Sequence, residues 1–158
     1  MIIHLKLNGK DIEREIADDT LLIDFLRDNG CLSVKRGCET SSCGLCTVML
    51  DNRPILSCST LAARVDGKQV LTLEGLQKEA AEFGAFLADE GAEQCGFCSP
   101  GIVMSVLAMT RELDQPDDEA IAHYLSGNLC RCTGYMGQKR AIRNYLNARR
   151  ANKHEAAE

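Results

Sequence analysis

The sequence predicts an α+β protein made of two domains, residues 1–74 and residues 75–158. In the first, short apolar runs alternate with turn residues, which is typical of strands around a single short helix. In the second, apolar residues recur at helical spacing over four stretches with short connections, which indicates a small helical bundle. We place the boundary at Glu74-Gly75, where the periodicity changes.

Turn and cap residues delimit the N-terminal elements. Asn8-Gly9-Lys10 predicts a hairpin turn, because Asn-Gly readily adopts the positive φ angles of tight hairpins. A second turn is expected at Asp51-Asn52-Arg53-Pro54. We expect Thr20 or Asp19 to cap the helix and Gly30 to end it. The predicted strands are Ile2–Leu7, Asp11–Ile16, Thr47–Leu50, Ile55–Ser57 and Gln69–Leu73, and the predicted helix is Leu21–Asp28.

Four helices are predicted in the C-terminal domain. Ser99-Pro100 supplies an N-cap and a first-turn proline, and Pro116 precedes an acidic first turn. The tail Ala151–Glu158 is expected to be frayed. The predicted helices are Leu76–Glu90, Pro100–Leu113, Asp117–Leu125 and Gln138–Arg150.

Composition and charge argue against several classes of protein. Hydrophobic residues make up 45% of the 158, which is enough to bury a core. The net charge of −5 argues against a nucleic-acid partner, which needs a clustered basic surface. Met1–Leu7 has no signal-peptide pattern, and no apolar run approaches the roughly 20 residues of a membrane helix. We therefore expect a cytoplasmic protein without membrane contact.

The chain carries nine cysteines, and in a reducing compartment this number indicates metal binding rather than disulfides. Cys38, Cys43 and Cys46 have the C-x4-C-x2-C spacing of plant-type ferredoxins, and Cys58 follows the predicted strand Ile55–Ser57. A tight loop can direct three thiolates at two irons while a nearby strand end supplies the fourth. This first cysteine set therefore predicts a [2Fe–2S] cluster.

A second cysteine set combines C-x2-C, at Cys95 and Cys98, with C-x-C, at Cys130 and Cys132. The first two precede the helix predicted at Pro100, whose positive N-terminal end favours an anionic cluster. The last two fall in a later loop, and two loops at one end of a bundle can enclose one cluster. Two all-cysteine zinc sites are the alternative interpretation of the eight residues.

The ninth cysteine, Cys31, belongs to neither set and is expected to be a small buried residue. The three histidines are scattered and form no metal-ligand pattern.

Three segments around the cysteines, Gly37–Val48, Gln94–Gly101 and Gly127–Tyr135, resemble the small iron–sulfur subunit of molybdenum hydroxylases. That family includes xanthine dehydrogenases, aldehyde oxidoreductases, carbon monoxide dehydrogenases and nicotinate or quinoline oxidoreductases. The resemblance covers nearly the whole chain. It implies a β-grasp ferredoxin-like domain followed by a four-helix-bundle domain, each with one [2Fe–2S] cluster.

The resemblance also implies roles for individual residues. In the family, the residues that match Gln94 and Cys132 lie against the pterin, so both are expected to bind that cofactor. Catalytic acid–base residues are expected on a partner, and none is assigned here. The implied metal ligands are Cys38, Cys43, Cys46 and Cys58 for one cluster and Cys95, Cys98, Cys130 and Cys132 for the other.

The partners implied are a large subunit with molybdopterin, usually as the cytosine dinucleotide in bacteria, and an FAD-binding medium subunit. Electrons would pass from molybdenum through the second cysteine set and then the first set to FAD or another acceptor. We expect a purine or another N-heterocycle as the substrate. The alternatives are the small subunit of an aldehyde or carbon monoxide dehydrogenase, or a free-standing two-cluster ferredoxin. A free shuttle needs no pterin-facing surface, so the segment at Gln94 argues against the last.

One loop departs from the family. Many members have Cys-Gly-x-Gly-x-Cys, whereas this chain has Cys38-Glu39-Thr40-Ser41-Ser42-Cys43 without internal glycine. Either this loop avoids positive φ angles, or it tolerates the strain. The loop's hydrogen bonds, and with them the cluster's potential, depend on which of the two holds.

Overall fold

A computed structural model describes residues 1–155 of the chain. It confirms the mixed α+β fold, with five strands and five α-helices in the described part. The strands are β1 (Ile2–Leu7), β2 (Lys10–Glu15), β3 (Thr47–Leu50), β4 (Arg53–Leu56) and β5 (Gln69–Leu71). The helices are α1 (Leu22–Asp28), α2 (Gln77–Asp89), α3 (Ser99–Glu112), α4 (Asp118–Tyr124) and α5 (Met136–Glu155).

The five strands form one mixed sheet in the order β2-β1-β5-β3-β4. Strand β5 pairs parallel to β1 and antiparallel to β3, so it joins the two hairpins β1–β2 and β3–β4. Alternate side chains of β1 are buried, and they pack with α1 in an N-terminal core. This core therefore places the loop that follows α1 beside the start of β3.

Both hairpin turns are tighter than the sequence predicted. Asn8 and Gly9 alone form the first turn, with φ of 50° and 82°, and β2 begins at Lys10. Asp51 and Asn52 form the second, with φ of 48° and 68°. Pro54 therefore lies inside β4, where it is tolerated because β4 is an edge strand.

Helix boundaries differ from the predicted ones by at most five residues, and two cap predictions are wrong. Leu21 precedes α1 without a side-chain cap, because the amide of Leu22 donates to the carbonyl of Thr60 instead, at 2.7 Å. Ser99 lies inside α3 rather than capping it. Helix α5 continues to Glu155, so residues 151–155 are helical rather than frayed, and residues 156–158 lie outside the described part.

The four C-terminal helices enclose a second core, which includes Phe83 and Tyr145 with ring centroids 5.1 Å apart. This core extends onto the sheet, because Met49 of β3 is fully buried within it. Helix α3 packs against β3 and β4. The close fit places the N-terminal end of α3 beside the loop that carries the first cysteine set. No helix within residues 1–155 is both long and apolar enough to cross a membrane.

Candidate functional site

The β3–β4 hairpin brings together two members of the first cysteine set. Cys46 directly precedes β3, and Cys58 lies in the 3₁₀ turn that follows β4. Thr47 and Leu56 are paired across the hairpin, and Ser57 donates its amide and hydroxyl to the carbonyl of Cys46, at 3.3 and 2.8 Å. The thiols of Cys46 and Cys58 are consequently in hydrogen-bonding contact, and burial raises the pKa of Cys46 to about 11.

Cys38 and Cys43 form the other thiol pair of the first set. The Cys43 thiol hydrogen-bonds to the Cys38 sulfur, and so do backbone amides that include those of Thr40 and Ser42. These hydrogen bonds lower the pKa of Cys38 to about 6. A loop whose amides point at a sulfur is suited to a negatively charged metal–thiolate centre.

The second cysteine set lies where the turn before α3 meets the loop before α5. The sulfurs of Cys95 and Cys132 are 3.5 Å apart, and the thiols of Cys98 and Cys130 are hydrogen-bonded. Negative charge on Cys130 acts on the sulfurs of both Cys95 and Cys132, so all four thiols share one site. Cys98 immediately precedes α3, whose positive end favours an anion.

Hydrogen bonds around Cys130 lower the pKa of its thiol. Burial raises its pKa, but the hydroxyl of Thr133, 3.1 Å from the sulfur, and nearby amides outweigh burial and lower it to about 7. The phenol oxygen of Tyr135 accepts from the Cys130 amide at 2.7 Å, although Tyr135 has a φ of 70°, which is unusual for a bulky residue. Burial raises the pKa of Cys98 to about 11. Each set thus contains one thiol that ionises readily.

In both sets, the thiols meet two by two. Among residues 1–155, no three Cys, His, Asp or Glu side chains form a group that could hold a single metal ion. In a [2Fe–2S] cluster each iron takes two protein ligands, so a set of four is arranged as two pairs. The observed pairs are Cys38 with Cys43, Cys46 with Cys58, Cys95 with Cys132, and Cys98 with Cys130. The donor sets therefore fit two-iron clusters.

Gln94 lies beside the outer pair of the second set. Its side-chain nitrogen donates to the carbonyl of Cys132 at 3.3 Å. Gln94, Cys95 and Cys132 are all exposed. The structure therefore brings the two residues predicted to bind the pterin together on one surface.

A backbone contact joins the two sites. The amide of Leu129, next to Cys130, donates to the carbonyl of Cys43 at 2.8 Å. Gly44 makes the approach possible, because a Cβ there would lie 2.4 Å from the carbonyl oxygen of Gly127. One residue, Leu129, and one hydrogen bond therefore connect a cysteine of one set to a cysteine of the other.

Sequence reasoning did not single out several side chains that contact these cysteines. Ser41, Thr133 and Gln138 each place a polar atom within 3.9 Å of a cysteine sulfur. Their sequence positions carry no signal, because hydroxyls and amides are common in loops and helices. Cys31 is buried in the N-terminal core, as predicted.

Apolar side chains remain exposed around the second set. The rim they form consists of Phe97, Leu129, Tyr135 and Met136, with 40% to 63% of each exposed. The ammonium group of Lys35 lies over the ring of Phe97, 4.8 Å from its centroid. Grouped apolar exposure of this kind marks an interaction surface.

Comparison with known proteins agrees with this geometry. The model of the [2Fe–2S] binding domain family matches residues 72–143. The chain is 42% identical to the xanthine dehydrogenase iron-sulfur-binding subunit of Escherichia coli O157:H7, over 85% of this chain and 87% of that one. It is 38% identical to the nicotinate dehydrogenase small FeS subunit of Eubacterium barkeri, over 89% and 92%. The quinoline 2-oxidoreductase structure from Pseudomonas putida 86 superposes with a TM-score of 0.87, at 34% identity over 96% of both chains.

Fold, thiol arrangement and family match together define a [2Fe–2S]-binding protein with a mixed α+β fold. More particularly, the chain belongs to the family of iron–sulfur subunits of xanthine dehydrogenase-type molybdenum hydroxylases, and it is a subunit of an oxidoreductase.

Proposed function

We propose that this subunit relays electrons through two [2Fe–2S] clusters, one in each of two domains, residues 1–74 and 75–158. The observation that carries the proposal is the arrangement of eight thiols as four pairs in two sites, joined by one hydrogen bond. The proposed ligands are Cys38, Cys43, Cys46 and Cys58 in one site and Cys95, Cys98, Cys130 and Cys132 in the other. When bound, each cluster accepts and returns one electron.

The exposure of the thiols supports a direction for the proposed relay. Cys95 and Cys132 are the exposed pair of the second site, so electrons enter there. Cys98 and Cys130 are the inner pair. Cys130 is connected to the first site because the amide of its neighbour Leu129 donates to the carbonyl of Cys43. The buried thiols are shielded from water, and the loop amides stabilise negative charge on the sulfurs.

A large subunit with molybdopterin, as the cytosine dinucleotide, is the proposed partner at the second site, with Gln94 and Cys132 against the pterin. The exposed apolar rim around that site supports a protein interface there, because such surfaces are rarely left in water. An FAD-binding medium subunit is proposed to take electrons from the first site. The complex would work in the cytoplasm.

A purine or another N-heterocycle is the proposed substrate of the complex. The relatives named above are subunits of xanthine and nicotinate dehydrogenases and a quinoline oxidoreductase, and each of these names a nitrogen heterocycle. An aldehyde or carbon monoxide dehydrogenase is the alternative. Assay of the purified complex with xanthine, nicotinate and an aldehyde separates these possibilities.

Metal analysis tests the clusters directly. The purified chain should be red-brown and contain about four irons and four acid-labile sulfides, because two [2Fe–2S] clusters hold that number. Iron and sulfide are measured by colorimetry and zinc by mass spectrometry. Stoichiometric zinc without sulfide would contradict the electron relay and indicate two structural zinc sites instead.

Replacing Gln94 by alanine tests the direction of the relay. Both cluster signals should persist, because the Gln94 side chain donates to the carbonyl of Cys132 and not to its sulfur. Substrate-driven reduction in the complex should slow about two- to tenfold, since one hydrogen bond is worth about 0.5–1.5 kcal/mol. Stopped-flow absorbance measures the rate, and Gln138→Ala, on the inner side of the site, is the matched comparison. An unchanged rate in Gln94→Ala would contradict the placement of Gln94 against the pterin.

A further inference from the structure

Ser41 holds an unusual backbone conformation in the loop that departs from the family pattern. Its φ is 54°, in the left-handed region that costs a residue with a Cβ about 1–2 kcal/mol. Its hydroxyl oxygen lies 3.4 Å from the sulfur of Cys58. The strain is thus tolerated, and the side chain at the strained position contacts Cys58, a proposed cluster ligand outside the loop.

We propose that Ser41 is a positioning residue that raises the reduction potential of the first cluster by donating a hydrogen bond to Cys58. This inference rests on the proposed function. A cluster-bound sulfur has no proton, so the hydroxyl is the donor. Reduction adds negative charge to the cluster and its sulfurs, and a hydrogen bond therefore stabilises the reduced form more than the oxidised form.

Neighbouring hydroxyls in the loop do not share this role. Those of Thr40 and Ser42 lie 2.8 Å from each other. The amide of Ser42 still donates to the sulfur of Cys38. The loop backbone therefore bonds to one thiol pair, whereas the side chain of Ser41 contacts the other pair. Glycine fits the backbone at position 41 without strain but cannot donate this bond.

Two substitutions separate the hydrogen bond from the strain. Ser41→Gly removes the hydroxyl and the Cβ, whereas Ser41→Ala removes the hydroxyl and keeps the Cβ at positive φ. Both should lower the midpoint potential of the first cluster equally and leave the second unchanged. Because the loop is exposed and water can partly replace the hydroxyl, we expect at most about a tenfold change in the reduction equilibrium, about 59 mV for one electron. Ser41→Gly should melt about 3–6 °C above Ser41→Ala.

The potentials are measured by redox titration followed by electron paramagnetic resonance on the full chain with its clusters, with Ser42→Ala as the matched control. A shift in both Ser41 variants and none in the control supports the proposal. Wild-type potentials in both Ser41 variants, or a shift in Ser41→Gly alone, would overturn it. Failure of the proposed function is distinguishable, because the wild-type chain would then show no cluster signal at all.

Discussion

Replacing Cys43 by serine is expected to abolish one of two paramagnetic signals of the reduced protein, and Cys98→Ser the other. Each substitution removes a buried or half-buried thiolate from one proposed site, leaving three ligands for two irons. The two sites use thiols from different cores, so the remaining cluster should persist. Iron content should fall from about four to about two per chain. Electron paramagnetic resonance and iron analysis of the same samples measure both effects.

Cys31→Ala is the matched control for the loss of a buried thiol. Cys31 is 3% exposed and packs in the N-terminal core, where the side-chain nitrogen of Asn8 lies 3.7 Å from its sulfur. Both signals should survive its substitution. Loss of both signals from Cys43→Ser or Cys98→Ser, in a chain that still folds, would contradict the assignment of two separate sites.

Gly101→Ala should weaken the junction between the two cores. A Cβ at Gly101, in the first turn of α3, would lie 2.5 Å from the carbonyl oxygen of Gly44 and 2.9 Å from the Cα of Leu45. Those atoms are backbone, so α3 or the cysteine loop must move. Such overpacking costs about 1–3 kcal/mol or more, which corresponds to a fall in Tm of roughly 3–10 °C for a chain of this size. Thermal unfolding of the cluster-loaded chain, followed by circular dichroism, measures the change.

Gly84→Ala, the same change at another glycine, is expected to raise the stability. Gly84 lies inside α2, and a Cβ there would meet no atom within 4 Å. Alanine should therefore stabilise the helix by about 0.5–1 kcal/mol. If Gly101→Ala also left Tm unchanged or raised it, the close contact between α3 and the cysteine loop would not be a constraint on the fold.

Local sequence signals predicted most elements because their causes are local. Asn8-Gly9 sets a turn by its own backbone preference, and the apolar spacing within α3 is that of a helix. The failures had tertiary causes. Thr20 does not cap α1, because the amide of Leu22 finds its partner in the backbone of Thr60, far along the chain.

The fold class and the grouping of eight cysteines into two sets could be predicted from the sequence, because spacing and family motifs are local patterns along the chain. The pairing of thiols within each set, the bond from Leu129 to Cys43 and the contact of Ser41 with Cys58 are visible only once the chain is folded. These contacts join segments up to 86 residues apart, as for Cys43 and Leu129. Their geometry depends on how α3 packs against the sheet, and no local preference of the chain encodes that packing.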